Sequence, residues 1–299
     1  MDSFHRPVMV REIMSFLVSD PDGVYVDATV GGGGHSQALL QRLSPVARVI
    51  GIDRDDDALR AAAETLNDFS RQIRLVKASF SQMKSILERE NIMGISGALL
   101  DLGVSSWQLD QPERGFSFEK EGPLDMRMDT RGGLQAGNVV NSMPEKELAD
   151  LIFRYGEERF SRRIAREVVE ARRKKRIEST GELEALIWKA VPVRHGRIHP
   201  ATRTFMALRI YVNRELEELQ EGLQSVVPLL RKGGRVVVLS YHSLEDRIVK
   251  NFFRSSAQLE VLTKKPVVPS PEEVAVNPRA RSARLRVAER IVGEEGETA

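Results

Sequence analysis

Three aspartates, Asp27, Asp53 and Asp101, each close an apolar run, and four consecutive glycines, Gly31 to Gly34, follow the first of them. Glycines placed after a strand let the backbone approach a ligand, and an acid at the end of the next strand can accept hydrogen bonds from both hydroxyls of a ribose. That pairing serves a dinucleotide and S-adenosylmethionine alike. The charge count separates them, because carboxylates facing one crevice repel a pyrophosphate and suit a sulfonium and an ammonium. Asp27 and Asp101 therefore favour S-adenosylmethionine over NAD, with Asp27 as a possible further contact to the cation.

The elements that must position these residues follow from periodicity. Apolar runs at Val24 to Asp27, Arg48 to Asp53, Ile73 to Val76 and Ile95 to Asp101 alternate with helical patterns at Ser36 to Leu43 and Ala58 to Leu66. Such alternation is the mark of a parallel sheet covered by helices. After Asp110 it stops. Capping-box patterns at Ser142 with Glu145 and at Ser179 with Glu182 start helices in a block that has no strand pattern. It resumes with one long helix predicted from Thr204 to Leu230, a Lys232-Gly233-Gly234 turn and a strand from Arg235 to Leu239. The expected fold is α/β, a Rossmann-like sheet domain built from residues 1–110 and 204–299, interrupted by a mainly helical insertion over residues 111–203.

Composition removes several chemistries. The 299 residues include no cysteine, which excludes disulfides, cysteine-bound zinc, iron–sulfur clusters and a thiolate nucleophile that adds to a pyrimidine ring. Groups of acids and histidines lack metal-ligand spacing, so no metal is expected. No apolar run approaches the ~20 residues of a spanning helix, and the first twelve residues carry Asp2, Arg6, Arg11 and Glu12. The expectation is a cytoplasmic protein without a membrane partner. A net charge of +2 is a mild pointer to an anionic partner.

Further segments carry a resemblance. His5-Arg-Pro-Val8, Asp27-Ala-Thr-Val-Gly-Gly-Gly-Gly-His-Ser36, Gly51-Ile-Asp-Arg-Asp55, Leu100-Asp-Leu-Gly-Val-Ser-Ser106 and Arg114-Gly-Phe-Ser-Phe118 are similar to motifs of the bacterial 16S ribosomal RNA cytosine-N4 methyltransferases, the RsmH/MraW family. So are Gly122-Pro-Leu-Asp-Met-Arg-Met-Asp129, Tyr155-Gly-Glu-Glu-Arg-Phe160, His199-Pro-Ala-Thr-Arg-Thr-Phe205, Ser240-Tyr-His-Ser-Leu-Glu-Asp-Arg247 and Asn277-Pro-Arg-Ala-Arg-Ser282, in order along nearly the whole chain. The resemblance implies a class I methyltransferase sheet, S-adenosylmethionine as donor, and donor contacts from Gly33, Gly34, His35, Asp53, Phe80, Asp101 and Gln108. It implies 16S ribosomal RNA as substrate, within the small ribosomal subunit or a late assembly form. Trp107 departs from the commonest family pattern, which has a smaller residue or proline there.

A cytosine amine is a weak nucleophile, so transfer to it relies on alignment and on an acceptor for an amine hydrogen. Asp101 is the candidate for that acceptor, and His242, after the strong strand, is a candidate contact to the base. Arg162, Arg163, Arg166, Arg172, Arg173, Lys174, Lys175 and Arg176 concentrate positive charge in the insertion, followed by Arg194, Arg197 and Arg203, and suit RNA phosphates. Arg279, Arg281, Arg284 and Arg286 form a second basic stripe. Phe116, Phe118 and Trp107 are candidate stacking residues for a splayed base.

Overall fold

The computed structural model describes residues 7–192 and 198–292. His5, Arg6, Arg194 and Arg197 lie outside the described residues. Two compact units account for the chain, one from residues 1–103 and 216–299, the other from residues 104–215.

The first unit is a seven-stranded sheet. Its strands are β1 (Val24–Asp27), β2 (Arg48–Asp53), β3 (Ile73–Lys77), β4 (Ile95–Asp101), β5 (Leu230–Ser240), β6 (Leu259–Val261) and β7 (Arg284–Arg290), in spatial order β3-β2-β1-β4-β5-β7-β6. The β1, β2, β3, β4 and β5 strands run parallel, while β7 pairs antiparallel with both β5 and β6. Nearly every residue of β4 is buried, as its continuous apolar run requires of a strand covered on both faces. Helices α1 (Val10–Leu17), α2 (Gly34–Leu40), α3 (Asp56–Thr65) and α4 (Met83–Arg89) belong to this unit. One apolar layer joins Leu17, Tyr25, Leu39, Val49, Leu99 and Val237 on one face of the sheet. A second joins Ile50, Met83, Leu100, Leu223, Val238 and Phe253 on the other. Each such side chain contributes about 1.5–3 kcal/mol on burial, enough together to fix the strand register that sets the site.

The second unit holds α5 (Ser106–Asp110), α6 (Ala136–Ser142), α7 (Glu145–Gly156), α8 (Ser161–Arg172), α9 (Thr180–Ala190) and α10 (Ala201–Asn213). The α7 helix packs on α8 and α10, and α8 on α9. Ser179 caps α9 by accepting from the Glu182 amide at 3.2 Å, as its sequence pattern requires. Ser142, by contrast, ends α6, and Pro144 precedes α7. The Ser142 hydroxyl donates back to the Asn138 carbonyl, so that capping expectation is corrected.

The long helix expected from Thr204 to Leu230 is two helices. Arg214 adopts φ 51°, ending α10, and α11 (Glu215–Leu229) begins anew. The polar side chain of Asn213 is what breaks the pattern: it donates to the Met126 carbonyl at 2.7 Å and accepts from the Met128 amide at 2.8 Å. Beyond β5 come α12 (Ser243–Ser255) and α13 (Pro271–Val276).

The stripe of C-terminal arginines also needs correction. Much of it is β7, a strand with neighbours on both sides, and Arg286 is buried there. Its guanidinium donates to Asp246 of α12 at 2.6 and 3.2 Å, and Arg284 donates to the same carboxylate at 3.2 Å. Burial pushes the Asp246 carboxyl up, but the two arginines outweigh it and hold it below the ordinary carboxylate range.

Candidate active site

In an open α/β sheet the ligand crevice lies beyond the carboxyl ends of the strands, where the strand order reverses. Here that point lies between β1 and β4. The chain leaves β1 through Thr29 and the glycines and enters α2. Gly33 sits at φ +86°, a conformation that a side chain disfavours. A Cβ on Gly33 would lie 3.0 Å from Leu66 and 3.3 Å from the Ala62 backbone, so the loop is packed tightly against α3. One on Gly34 would lie 3.0 Å from Pro7, because the N-terminal segment lies against the loop.

Asp27 does not project into the crevice. It is 1% exposed, with one carboxylate oxygen accepting from the Ser36 hydroxyl at 2.7 Å and the other from the Thr29 amide at 3.3 Å. It ties the glycine loop to α2, and that holding function replaces the expected contact with a cation. Burial raises its pKa, opposed by the Ser36 hydrogen bond and the nearby His35.

Asp53 is half-buried at the end of β2. Its Oδ2 accepts from the Gly31 amide at 2.9 Å and its Oδ1 from the Asp55 amide at 2.9 Å. Those bonds fix the carboxylate's orientation and leave lone pairs for a diol. Burial pushes its pKa up to about 6, the two backbone amides resisting the rise. Phe80 is buried, and Gly222 makes room for its ring: a Cβ there would come within 2.5 Å of Phe80 Cδ2.

Asp101 is held from several directions. Its amide donates to the Thr29 hydroxyl at 2.6 Å, its Oδ1 accepts from the Tyr241 hydroxyl at 2.9 Å, and its Oδ2 lies 3.4 Å from His35 Nδ1. His35 Nε2 is 2.8 Å from the Val8 carbonyl, which can only accept, so Nε2 carries a hydrogen. Tyr241, which the sequence reading missed, is thus part of the site. Its phenol is raised well above its ordinary pKa, first by burial and then by the Asp101 carboxylate, and so remains a donor. A tyrosine directly after an apolar strand was the only signal for it.

His242 is the N-cap of α12. Its Nδ1 accepts from the Glu245 amide at 3.4 Å, and its Nε2 lies 3.1 Å from Glu245 Oε1, off the line of a hydrogen bond. Both ring nitrogens face Glu245: Nδ1 caps α12, and the buried Nε2 makes no hydrogen bond among the described residues.

In the helical unit, Gln108 is buried and its side chain accepts from the Ser105 amide at 3.0 Å in a capping box at the start of α5. Arg162, Arg163 and Arg166 lie exposed on α8, and Arg173, Lys174, Lys175 and Arg176 are exposed after it. Arg172 differs from them. Its guanidinium donates to the Val140 and Met143 carbonyls, both at 2.6 Å, and so cements α6 to α8. Lys175 is paired with Glu182 at 2.6 Å. Among the aromatics, Phe116 is buried near Arg114, and Phe118 stacks on His199 with centroids 4.5 Å apart. Trp107 is half-buried, with Arg114 lying 5.6 Å from its ring centroid.

The residues suit S-adenosylmethionine: a glycine loop, a half-buried acid at the end of β2, and a second partly exposed carboxylate at the end of β4. A parallel sheet whose seventh strand runs antiparallel between the fifth and sixth, with that loop after β1, defines a class I methyltransferase. More narrowly, the model of the MraW methylase family matches residues 2–291, and the chain belongs to that family. It is 53% identical over 292 residues to the ribosomal RNA small subunit methyltransferase H of Persephonella marina, covering 96% of this chain and 99% of that one. It is 48% identical over 309 residues to the protein of the same name from Syntrophus aciditrophicus, covering 97% of this chain and 98% of that one.

Proposed function

We propose that this chain transfers a methyl group from S-adenosylmethionine to the exocyclic N4 amine of a cytidine in 16S ribosomal RNA, acting on the small ribosomal subunit or a late assembly form of it. The observation that carries this reading is the Asp101 carboxylate, fixed at the end of β4 by Tyr241 and facing His35 at the start of α2. The resemblance to cytosine-N4 methyltransferases and the names of the relatives support the same substrate.

When bound, S-adenosylmethionine would supply an electrophilic methyl carbon on its sulfonium sulfur: the amine nitrogen would bond to that carbon as the carbon–sulfur bond breaks with its electrons on sulfur, and the proton the nitrogen sheds would pass to Asp101 and on to water. The chain's own residues prepare that exchange. Gly33 in the loop, with Gly34 and His35 at the start of α2, receives the donor, Asp53 accepts from its ribose and Phe80 lies beside its adenine, while the family resemblance assigns Gln108 to its methionine end. Asp101 accepts a hydrogen bond from the amine, which turns the nitrogen lone pair away from the ring and toward the methyl. Preorganised acceptors of this kind act without reorganising at the moment of reaction. Arg162, Arg163 and Arg166, with Arg173 to Arg176, meet RNA phosphates. Among the described residues no helix is long and apolar enough to cross a membrane.

The test is transfer of labelled methyl from S-adenosylmethionine to small subunits from cells lacking the protein, beside transfer to stripped 16S RNA. Label in the RNA of subunits, exceeding that in stripped RNA, is the expected result. Label only in protein or DNA overturns the reading.

A further inference from the structure

A pocket lies at the carboxyl end of β5, lined by Tyr241, His242, Ser243, Arg281, Ser282 and Arg284. We propose that it is a phosphate subsite for the RNA strand that carries the target nucleotide, with Arg281 as its anchoring cation. The proposal rests on the reading of the chain as an RNA methyltransferase and assigns a specific contact to it.

The lining contains two guanidiniums and no carboxylate. Behind the lining, Glu245 accepts from the Tyr241 amide at 2.9 Å and lies against His242, and Asp246 is shared by Arg284 and Arg286. Arg281 is exposed, and no ion pair or hydrogen bond engages its side chain among the described residues. Arg281 therefore offers the pocket an unengaged cation in the form best matched to a phosphate, since a guanidinium presents paired donors to two oxygens.

Arg281 lies on a short 3-10 turn, Pro278–Ser282, whose neighbours Ala280 and Ala283 are wholly buried in the sheet's core. Small residues pin the turn from below while the arginine is left outside. This accounts for the Arg-Ala-Arg-Ser-Ala-Arg pattern over residues 279–284, in which Arg284, like Arg286 beyond it, is paired with Asp246. An anchor on a fixed turn positions a strand without the ordering cost of a mobile loop.

Tyr241 lines the pocket and at the same time donates to Asp101. One tyrosine side chain therefore separates the anion pocket from the carboxylate assigned to the amine. A nucleotide spans a comparable distance from its phosphate to its base, so Arg281 sets register while Asp101 addresses the reacting group. Phosphate contacts position and base contacts specify.

The experiment measures binding of unmethylated small subunits by wild type, Arg281→Gln and Arg281→Lys over a salt series, beside equilibrium titration of S-adenosylmethionine with each protein. Arg281→Gln is expected to weaken subunit binding about tenfold, to lower the slope of log affinity against log salt by about one, and to leave donor affinity unchanged. Arg281→Lys is expected to restore the salt slope and only part of the affinity. Unchanged binding and slope in Arg281→Gln would overturn the subsite. Weakened donor binding would overturn it too, by assigning the arginine to the donor's carboxylate. Because binding is read separately from transfer, a wild-type protein that binds subunits but methylates no cytidine would refute the proposed reaction, while the binding comparison still decides the subsite.

Discussion

The Tyr241 hydroxyl donates to Asp101 Oδ1 at 2.9 Å, across the gap between the ends of β5 and β4. Both residues belong to the sheet unit, and the bond fixes which way the carboxylate faces. Tyr241→Phe keeps the ring and removes that donor. Hydrogen bonds to charged groups are worth about 1.5–3 kcal/mol, so kcat for methyl transfer is expected to fall about tenfold or more, with little change in the KM for RNA. Steady-state kinetics on small subunits provides the check; a loss confined to melting temperature would assign the tyrosine to stability alone.

Asp53 makes donor binding depend on pH. Its folded-state pKa is raised from 3.8 to about 6 by burial, and a ribose diol prefers the ionised acceptor. Donor affinity is therefore expected to weaken about tenfold between pH 7 and pH 5, a dependence that Asp53→Asn should flatten while binding more weakly at pH 7. The sign for stability is opposite. The free folded protein takes up this proton at a higher pH than the unfolded chain, so Asp53 opposes folding at neutral pH and that opposition is relieved as pH falls through about 6. Titration calorimetry and thermal melts across this range separate the two effects.

Asp246 and Arg286 test which arginines of the C-terminal stripe are structural. Removing one partner from a buried pair typically costs about 3–5 kcal/mol, and Asp246→Ala leaves Arg286 buried without its carboxylate. Denaturant unfolding should show a loss of that order, against almost none for Arg281→Gln. Because the Asp246 pKa is lowered from 3.8, its contribution is present above that pH and is lost as pH falls through the lower folded value. Wild type and Asp246→Ala should converge in stability in strong acid.

Gly33→Ala tests the loop. At φ +86° a left-handed residue with a Cβ costs about 1–2 kcal/mol, and that Cβ would press on Leu66 and the Ala62 backbone. The loop is expected to shift from α3, lowering donor affinity at least tenfold while leaving subunit binding intact. Equal loss of both would show that the substitution disturbs the whole unit.

Much of the sheet was legible because its signals are local. Parallel strands buried on both faces read as apolar runs, and Asp27, Asp53 and Asp101 marked their ends. The β6 and β7 strands escaped because β7 alternates arginine with apolar residues, a pattern shared by an exposed basic stripe; only Asp246, distant in sequence, shows that Arg286 is neutralised. The same limit applies to the site. Gly33 and Asp53 are where spacing put them, but whether Asp27 faces a ligand or Ser36, and whether His242 meets a base or caps a helix, depends on rotamers and partners that spacing does not encode. Tyr241 is the converse case: its hydroxyl finds Asp101 only once β4 and β5 are paired.

The account turns on the atom that receives the methyl. Small subunits from cells lacking this protein, incubated with it and with labelled S-adenosylmethionine, should yield, after digestion of their RNA to nucleosides, label in N4-methylcytidine, and the yield should collapse with Asp101→Ala. Label in 5-methylcytidine or in a ribose-methylated nucleoside would contradict the assignment of Asp101 to an exocyclic amine.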